Sequence, residues 1–249
     1  MLDKIEVCGN KYLECFSRAE ETTDFIRLSD DLLPDMYQFN CTIIINAANA
    51  AAIVQAEIEH SKSRGKNFCQ ICGRIGETLD PLSGSEVSVM GYYVFDVNSL
   101  HKLKDVDGIE IVKLDSAEKI ADLVALDIEV DGEAAGEDFC TRRAQRRGEA
   151  YLSSVLDRYL CYIGGEIIGK CELFIHEDCA KIEDLEISPK FERRGYGTAL
   201  LKAVIEAAIK KGAKLIFLVT DEDDTVKHMY EKIGFAKVCE SVELFFKLD

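Results

Sequence analysis

The sequence predicts an α/β fold in which a mixed central sheet is flanked by helices. Short apolar runs rich in β-branched residues, at 41–47 and 214–220, are typical of buried strands. Helix-forming runs, such as the one that follows residue 197, alternate with them. Over 109–249 the predicted order is β-α-α-β-β-β-α-β-α-β, which indicates a sheet with both parallel and antiparallel strand pairs.

The second half begins with a predicted strand at 109–115. Ser116 is a suitable N-cap for the helix that follows. Residues 132–156 predict a loop and then a polar helix, whose basic run "RRAQRR" (142–147) we expect to face solvent. Three strands follow at 158–163, 166–175 and 180–187, and the Gly-Gly pair between the first two predicts a tight hairpin. After the strand at 214–220 come a helix over 221–234 and one or two final strands.

Fewer elements are predicted in the first half of the chain. The predicted strands are 22–30, 41–47, the run "NFCQICGRI" and 87–97, with a helix over 47–65 between the second and the third. Asn46 or Asn49 is expected to cap this helix, and Gly65 to end it. A polar bridge, 98–108, separates the two halves.

The composition is that of a globular protein, with 47% apolar and 31% charged residues among 249. A net charge of −16 argues against a nucleic-acid partner, because phosphate binding needs an extended basic surface. The first residues lack the positive and apolar regions of a signal peptide, and no apolar run approaches the roughly 20 residues that span a bilayer. We therefore expect a cytoplasmic protein with neither a nucleic-acid nor a membrane partner.

Ten scattered cysteines are expected to be reduced thiols, most of them buried. Cys69 and Cys72 form the CxxC motif of "FCQICGRI", but neither a second CxxC nor a histidine pair follows at zinc-finger spacing. The four histidines are isolated. The sequence therefore predicts no metal site.

The stretch "FERRGYGTALLKAVIEAAIKKG" (191–212) predicts an anion site. Where a glycine turn opens a helix, about four N–H groups lack helical partners and the helix dipole adds roughly half a positive charge. Gly195 and Gly197 let a ligand approach the main chain, and Arg193 and Arg194 add positive charge. A P-loop pattern is absent, and so is the third glycine of the dinucleotide fingerprint, which argues against an oxidoreductase of the Rossmann type.

Residues 182–201, "IEDLEISPKFERRGYGTALL", resemble the GNAT superfamily of acyl-CoA-dependent N-acetyltransferases. In that family an apolar-x-apolar triplet ends a strand, and Q/R-x-x-G-x-G/A opens a helix; Glu192 departs from the first position. Residues 223–235, "DDTVKHMYEKIGF", are similar to the family's N-x-x-A-x-x-x-Y-E-K-x-G-F element, with Asp223 and a valine as departures. The resemblance covers about 109–249.

The resemblance implies acetyl-CoA as co-substrate and requires no metal. The residues that it implies for cofactor binding are Leu185, Glu186, Ile187, Arg193, Arg194, Gly195, Tyr196, Gly197, Thr198, Asp223 and Tyr230. The main chain of Leu185 and Ile187 would bond the pantetheine arm, at a splay between the parallel strands 180–187 and 214–219. Tyr230 would protonate the departing thiolate; a buried Tyr230 with a purely structural role is the rival interpretation.

Glu183 is the catalytic base that the resemblance implies, through the "ED-apolar-x-apolar" pattern of polyamine-type members. A primary amine is protonated at pH 7 and must lose a proton before it attacks a thioester. Strand alternation predicts that Glu183 and Glu186 point to opposite faces of the sheet. That these carboxylates only decorate the end of a strand is the alternative.

We therefore expect an N-acetyltransferase domain at 106–249, which transfers an acetyl group to an amine of a small molecule or a protein in a ternary complex. Residues 1–105 are predicted as a smaller, degenerate GNAT-like half without a G-x-G loop. Such a half would make the chain a pseudo-tandem and could mediate a homodimer. The alternative function is a non-catalytic acyl-CoA-binding sensor or interaction module, which would keep the phosphate loop but lack a working base.

Overall fold

The computed structural model describes residues 1–77 and 79–248, and it divides into two compact units. The first unit comprises Met1–Tyr93, Val219–Glu231 and Lys237–Asp249, and the second comprises Val94–Leu218 and Lys232–Ala236. The predicted domains, 1–105 and 106–249, are a division by sequence resemblance, and that division stays a prediction.

The first unit is a mixed sheet covered by a helix. Its elements are α1 (Leu2–Glu14), β1 (Arg18–Glu21), β2 (Phe25–Ser29), β3 (Cys41–Ile44), α2 (Ala50–Ser63), β4 (Phe68–Cys72) and β5 (Glu86–Phe95, up to Tyr93). In the sheet, β3 and β4 are parallel, whereas β1, β2 and β3 pair antiparallel.

Sequence alternation explains the core of this unit. Cys69 and Ile71 on β4 point to one face, because side chains two residues apart in a strand share a face. The helix α2 packs against β3 and β4 and buries Ile53 and Val54 in the same cluster. Antiparallel pairing with the distant segment 243–247 adds Leu244 opposite Ile71.

The second unit is also a mixed sheet, and it carries helices on both faces. Its elements are β6 (Ile109–Lys113), α3 (Ala117–Ala135), α4 (Glu137–Leu152), β7 (Asp157–Ile163), β8 (Glu166–His176), β9 (Cys179–Ile187), α5 (Tyr196–Lys210) and the first part of β10 (Leu215–Asp221). The strand order is β10-β9-β8-β7-β6, with β9 and β10 parallel and the other pairs antiparallel. The last elements, α6 (Lys227–Ile233) and β11 (Phe235–Lys247), belong mainly to the first unit.

The two faces of the second sheet are identified by neighbouring residues of β8. Lys170 bonds Asp127 of α3, so this face lies under α3. Gly169 pairs with Ile187, which meets the start of α5 at Gly197. Because successive strand residues point to opposite faces, α3 and α5 cover opposite sides of the sheet.

The elements confirm the predicted mixed α/β fold, with differences at several places. The prediction of a loop from 132 is wrong: α3 continues through Gly132 to Ala135, since one glycine inside a helix costs only about 1 kcal/mol. Asn46 caps a short 3-10 turn, and α2 begins only at Ala50. The predicted helix over 221–234 is limited to Lys227–Ile233. The sequence analysis did not predict α1 or β1.

Candidate functional site

The turn between β9 and α5 presents bare main chain at the start of a long helix. Gly195 adopts φ 87° as the N-cap residue of α5, and Arg193 adopts φ 58°. These are left-handed conformations, which glycine adopts without steric cost. A Cβ on Gly195 would lie 3.3 Å from Cγ2 of Val106, and one on Gly197 would lie 3.4 Å from Cγ1 of Ile187.

The first turn of α5 has N–H donors available. The Ala199 N–H donates to the Gly195 carbonyl at 3.0 Å, so helical bonding starts there. The N–H groups of Tyr196, Gly197 and Thr198 precede that bond and have no helical acceptor. Within the described residues Gly195 makes no side-chain cap bond, and the segment from Glu192 to Gly195 is exposed. Such a helix end can hold an anion.

The two arginines of this turn differ in how they are held. Arg194 folds back: its Nη2 donates to the Lys190 carbonyl at 3.2 Å, and its guanidinium lies 5.6 Å from the centre of the Phe191 ring. Arg193 is exposed. Both arginines therefore lie in the turn that precedes the open helix end, and their role in cofactor binding stays a prediction.

The strand that leads to this turn carries a β-bulge. The β8–β9 register pairs Lys170 with Glu186 and Glu172 with Glu183, so β9 has one extra residue, and Asp184 adopts φ 53°. Directly paired residues lie on one face, and Lys170 and Glu172 share a face. The predicted placement of Glu183 and Glu186 on opposite faces is therefore wrong: the extra residue of the bulge brings them to the same face.

A buried lysine organises three carboxylates on that face. Lys170 is 1% exposed, and its Nζ lies 2.6 Å from Asp127, 2.8 Å from Glu186 and 3.5 Å from Asp184. Burial alone would raise the pKa of Asp184, but Lys170 and Arg158 hold it far below its ordinary value. Burial raises the pKa of Glu186, and the attraction to Lys170 does not fully offset it.

A fourth carboxylate on the same face, that of Glu172, is bound by two arginines. Glu172 is fully buried, with Arg147 at 3.0 Å and Arg158 at 3.1 Å, and the Tyr151 hydroxyl donates to it. Burial raises the pKa of Glu172, but the two arginines outweigh it and leave the pKa below its ordinary value. Arg158 also binds Asp184 at 2.7 Å, which joins the two groups. We call them together the buried charge cluster; its members are Asp127, Asp131, Arg143, Arg147, Arg158, Lys170, Glu172, Asp184 and Glu186.

The basic run 142–147 contributes to this cluster, and its prediction as a solvated face is wrong. Arg147 is 5% exposed, and Arg143 lies 2.9 Å from Asp127 and 2.5 Å from Asp131. The signal was available in part. Arg143 and Arg147 are four residues apart, so they share one face of α4 with Cys140 and Ala144, which are buried.

The implied base, Glu183, is engaged in an ion pair. Lys181, two residues earlier on β9, donates to its carboxylate, and the side chain of Glu183 is 21% exposed. Its role as a base stays a prediction.

The implied acid and the second cofactor residue lie in the first unit. Tyr230 on α6 is 7% exposed, and Asp223 is exposed, with its N–H donating to the Asp221 carboxylate at 2.8 Å. Burial of Tyr230 fits both the catalytic and the structural interpretation. The roles of Tyr230 and Asp223 stay predictions.

The CxxC motif lies within β4. Cys69 and Cys72 are three residues apart in a strand, which points their side chains to opposite faces. All ten cysteines are free thiols, and burial raises the pKa of Cys69 to about 11. Over residues 1–77 and 79–248, no three His, Cys, Asp or Glu side chains are grouped so that they could hold a metal ion. No helix in the same residues is long and apolar enough to span a bilayer.

Comparison with known sequences finds a match to one family model and relatives that match over part of their length. The model of the acetyltransferase (GNAT) family matches residues 121–235. The chain is 33% identical over 107 residues to the uncharacterized N-acetyltransferase CgeE of Bacillus subtilis (strain 168), which covers 41% of each chain. It is 32% identical over 92 residues to the ribosomal protein bS18-alanine N-acetyltransferase of Haemophilus influenzae, covering 37% of this chain and 60% of that one. The chain thus matches less than two thirds of the length of these relatives.

Solved structures resemble the chain over nearly all of its length. A functionally unknown conserved protein from Staphylococcus epidermidis superposes with a TM-score of 0.79 at 15% identity, covering 94% of this chain and 95% of that one. A GCN5-related N-acetyltransferase from Kribbella flavida gives a TM-score of 0.73 at 14% identity, with coverage of 99% and 95%. A tandem GNAT protein from the clavulanic acid biosynthesis pathway gives 0.59 at 11% identity, with coverage of 96% and 94%. At these identities the likeness shows the fold alone, and it agrees with the predicted GNAT-like α/β architecture.

Proposed function

Because residues 121–235 belong to the acetyltransferase (GNAT) family, we propose that this chain transfers an acetyl group from acetyl-CoA to an amine. The observation that carries the proposal is the open N-terminus of α5, where three consecutive N–H groups precede the first helical bond and the N-cap is an exposed glycine. A phosphate group is one of the anions that such a helix end binds, and coenzyme A carries a diphosphate.

The residues of the turn fit the coenzyme. The main chain from Gly195 to Thr198 would hold the pyrophosphate, with Arg193 and Arg194 adding positive charge. The main chain of Leu185 and Ile187 would bond the pantetheine amides. When bound, acetyl-CoA supplies an activated acyl group in the form of a thioester.

Side chains of the protein carry out the two proton transfers that the reaction needs. A carboxylate removes a proton from the acceptor ammonium, and Tyr230 returns a proton to the departing thiolate sulfur. The acceptor is the amine of a small molecule or of a protein; the Haemophilus relative is named for an alanine of a ribosomal protein. The strongly acidic surface favours a cationic acceptor. We further expect a cytoplasmic protein. We also expect a homodimer, and light scattering of the purified chain would test this oligomeric state.

A thiol-release assay over a panel of polyamines, aminoglycosides, amino acids and peptides tests the proposal. We expect release with at least one amine, and acetyl-CoA should raise the melting temperature where NAD and ATP do not. In Tyr230→Phe turnover should fall while acetyl-CoA binding is kept. Binding of acetyl-CoA without release from any amine would instead support the non-catalytic sensor module.

A further inference from the structure

We propose that Glu129 of α3 is a positioning residue for the cofactor: its carboxylate fixes the turn between β9 and α5 in the shape that presents the open N-terminus of α5. The inference rests on the proposed function. It assigns a part in cofactor binding to a helix on the opposite side of the sheet from α5, outside both stretches of sequence that resemble the family.

One oxygen of the Glu129 carboxylate holds two residues of the turn. Ser188 Oγ donates to Glu129 Oε1 at 2.7 Å, and Lys190 Nζ lies 3.0 Å from the same oxygen. Ser188 directly follows β9 and is fully buried, whereas the side chains of Lys190 and Glu129 are 69% and 32% exposed. Because an exposed ion pair contributes little and a hydrogen bond to a charged group contributes more, the Ser188 contact is the one that we expect to hold the turn.

The place of Ser188 in the chain connects α3 with α5. Successive residues of an extended chain point to opposite sides. Ile187 meets the start of α5 at Gly197, and the next residue, Ser188, bonds α3 through Glu129. The Ser188 N–H also donates to the Ile168 carbonyl of β8 at 2.8 Å. The end of β9 and the first residue of the turn are therefore fixed to both helices and to the neighbouring strand.

The later part of the turn is bonded to the two residues that Glu129 holds. The Phe191 N–H donates to the Ser188 carbonyl at 2.8 Å, and Arg194 Nη2 donates to the Lys190 carbonyl at 3.2 Å. Arg194 is the residue directly before the N-cap of α5. A displacement of Ser188 or Lys190 would therefore move the main chain that leads into the helix.

The charge of Glu129 suits this role. The hydrogen bonds from Ser188 and Lys190 lower the pKa of Glu129, although burial opposes them, so the carboxylate is ionised at pH 7 and only accepts. A turn that is already held in its bound shape costs less to order when the ligand binds. Loss of the Glu129 contacts should therefore appear in the affinity for the cofactor rather than in the chemical steps.

The test measures the dissociation constant of acetyl-CoA by calorimetry. We expect binding to weaken about 5–10-fold in Glu129→Ala and in Ser188→Ala, because the turn must then be ordered by the ligand. Glutamine keeps an oxygen acceptor for Ser188, so Glu129→Gln should stay within about twofold of the parent chain. Glu133→Ala is the matched control, since Glu133 is an exposed residue one turn further along α3, and it should leave the affinity unchanged.

Kinetics and a double variant separate positioning from a merely structural role. In Glu129→Ala, KM for acetyl-CoA should rise with the dissociation constant, while kcat stays within about twofold and KM for the amine is unchanged. Because Glu129 acts through Ser188, the variant that carries both alanines should bind about as weakly as either single variant. Parent-like affinity in Glu129→Ala, or effects of the two alanines that multiply, overturns the assignment.

Amide hydrogen exchange in the free chain gives a second readout, which needs neither cofactor nor amine. The Phe191 N–H should exchange several-fold faster in Glu129→Ala than in the parent, and Glu129→Gln should restore the parent rate. An unchanged rate at this amide in Glu129→Ala overturns the assignment. If the parent chain itself does not bind acetyl-CoA, the proposed function fails. If the parent binds and Glu129→Ala binds equally well, only the assignment of Glu129 fails.

Discussion

Replacing Lys170 by methionine tests whether the buried charge cluster depends on one cation. Lys170 is 1% exposed and lies within 3.5 Å of three carboxylates. Methionine fills a similar volume, so the change removes charge and leaves little cavity. Asp127 and Asp184 keep arginine partners at 2.9 Å and 2.7 Å, but Glu186 loses its cationic contact.

The expected cost follows from the loss of one partner in a buried ion-pair network. Such a change costs about 3–5 kcal/mol where the remaining charge is fully buried, and less here because the side chain of Glu186 is 25% exposed. With two of the three carboxylates still paired and the third partly hydrated, we expect about 2 kcal/mol at pH 7. For a chain of this size that is a fall in melting temperature of about 4–8 °C, and an appreciable share of a typical stability of about 5–15 kcal/mol.

The dependence on pH identifies the cause. In the parent chain the pKa of Asp184 is lowered, so its contribution to stability is present above its unfolded pKa and is lost as pH falls through the folded one. In Lys170→Met the carboxylates lose their cation and their pKa values rise. They then take up protons more readily, and the difference in stability between variant and parent should shrink as pH falls from 7 towards 4.

Urea unfolding at pH 7, 5.5 and 4 measures this difference. Lys214→Met is the matched control, because Lys214 is 81% exposed and lies 4.0 Å from Asp178; it should change stability by less than about 0.5 kcal/mol. A loss in Lys170→Met no larger than that of the control, or one that is equal at all three pH values, would refute the reasoning.

Three further changes test the turn and a helix cap. Gly195→Ala forces a Cβ into a left-handed residue and should cost about 1–2 kcal/mol in urea unfolding; an unchanged midpoint would show that the turn relaxes. Gly197→Glu places a carboxylate at the open helix end and should raise KM for acetyl-CoA at least about tenfold, whereas an equal KM would count against the phosphate site. Ser116→Ala removes the acceptor for the Lys119 N–H, which is 3.5 Å away, and should cost about 0.5 kcal/mol; a loss of 2 kcal/mol would contradict so weak a cap.

Local sequence signals predicted the hairpin and the glycine turn before α5 well. Gly164 and Gly165 adopt φ 58° and 87°, as a tight hairpin requires, and β7 and β8 pair around them. The turn at Gly195 follows a strand and opens a helix, as the motif indicates. Both features depend on residues a few positions apart, which sequence patterns record directly.

The bulge and the buried charges were not predictable in this way. The alternation of β9 contains no mark of an extra residue at Asp184, so the shared face of Glu183 and Glu186 follows only from its pairing with β8. An arginine in a polar helix has the same local sequence whether it faces water or a carboxylate. Arg147 is buried because Glu172 lies on a strand 25 residues away. The helix α1 has the pattern Ile5, Cys8 and Tyr12, but short amphipathic runs of this kind are ambiguous.

The pairing of β4 with β11 has a consequence for biosynthesis. Gln70 and Glu243 bond across these strands although 173 positions separate them. At about 5–20 residues per second, a ribosome needs about 9–35 s to make the intervening polypeptide. During that interval the nascent β4, which is largely apolar, lacks its later neighbour on one edge. Chaperone shielding of this edge during translation, and slow closure of the long loop afterwards, are the expected features of its maturation.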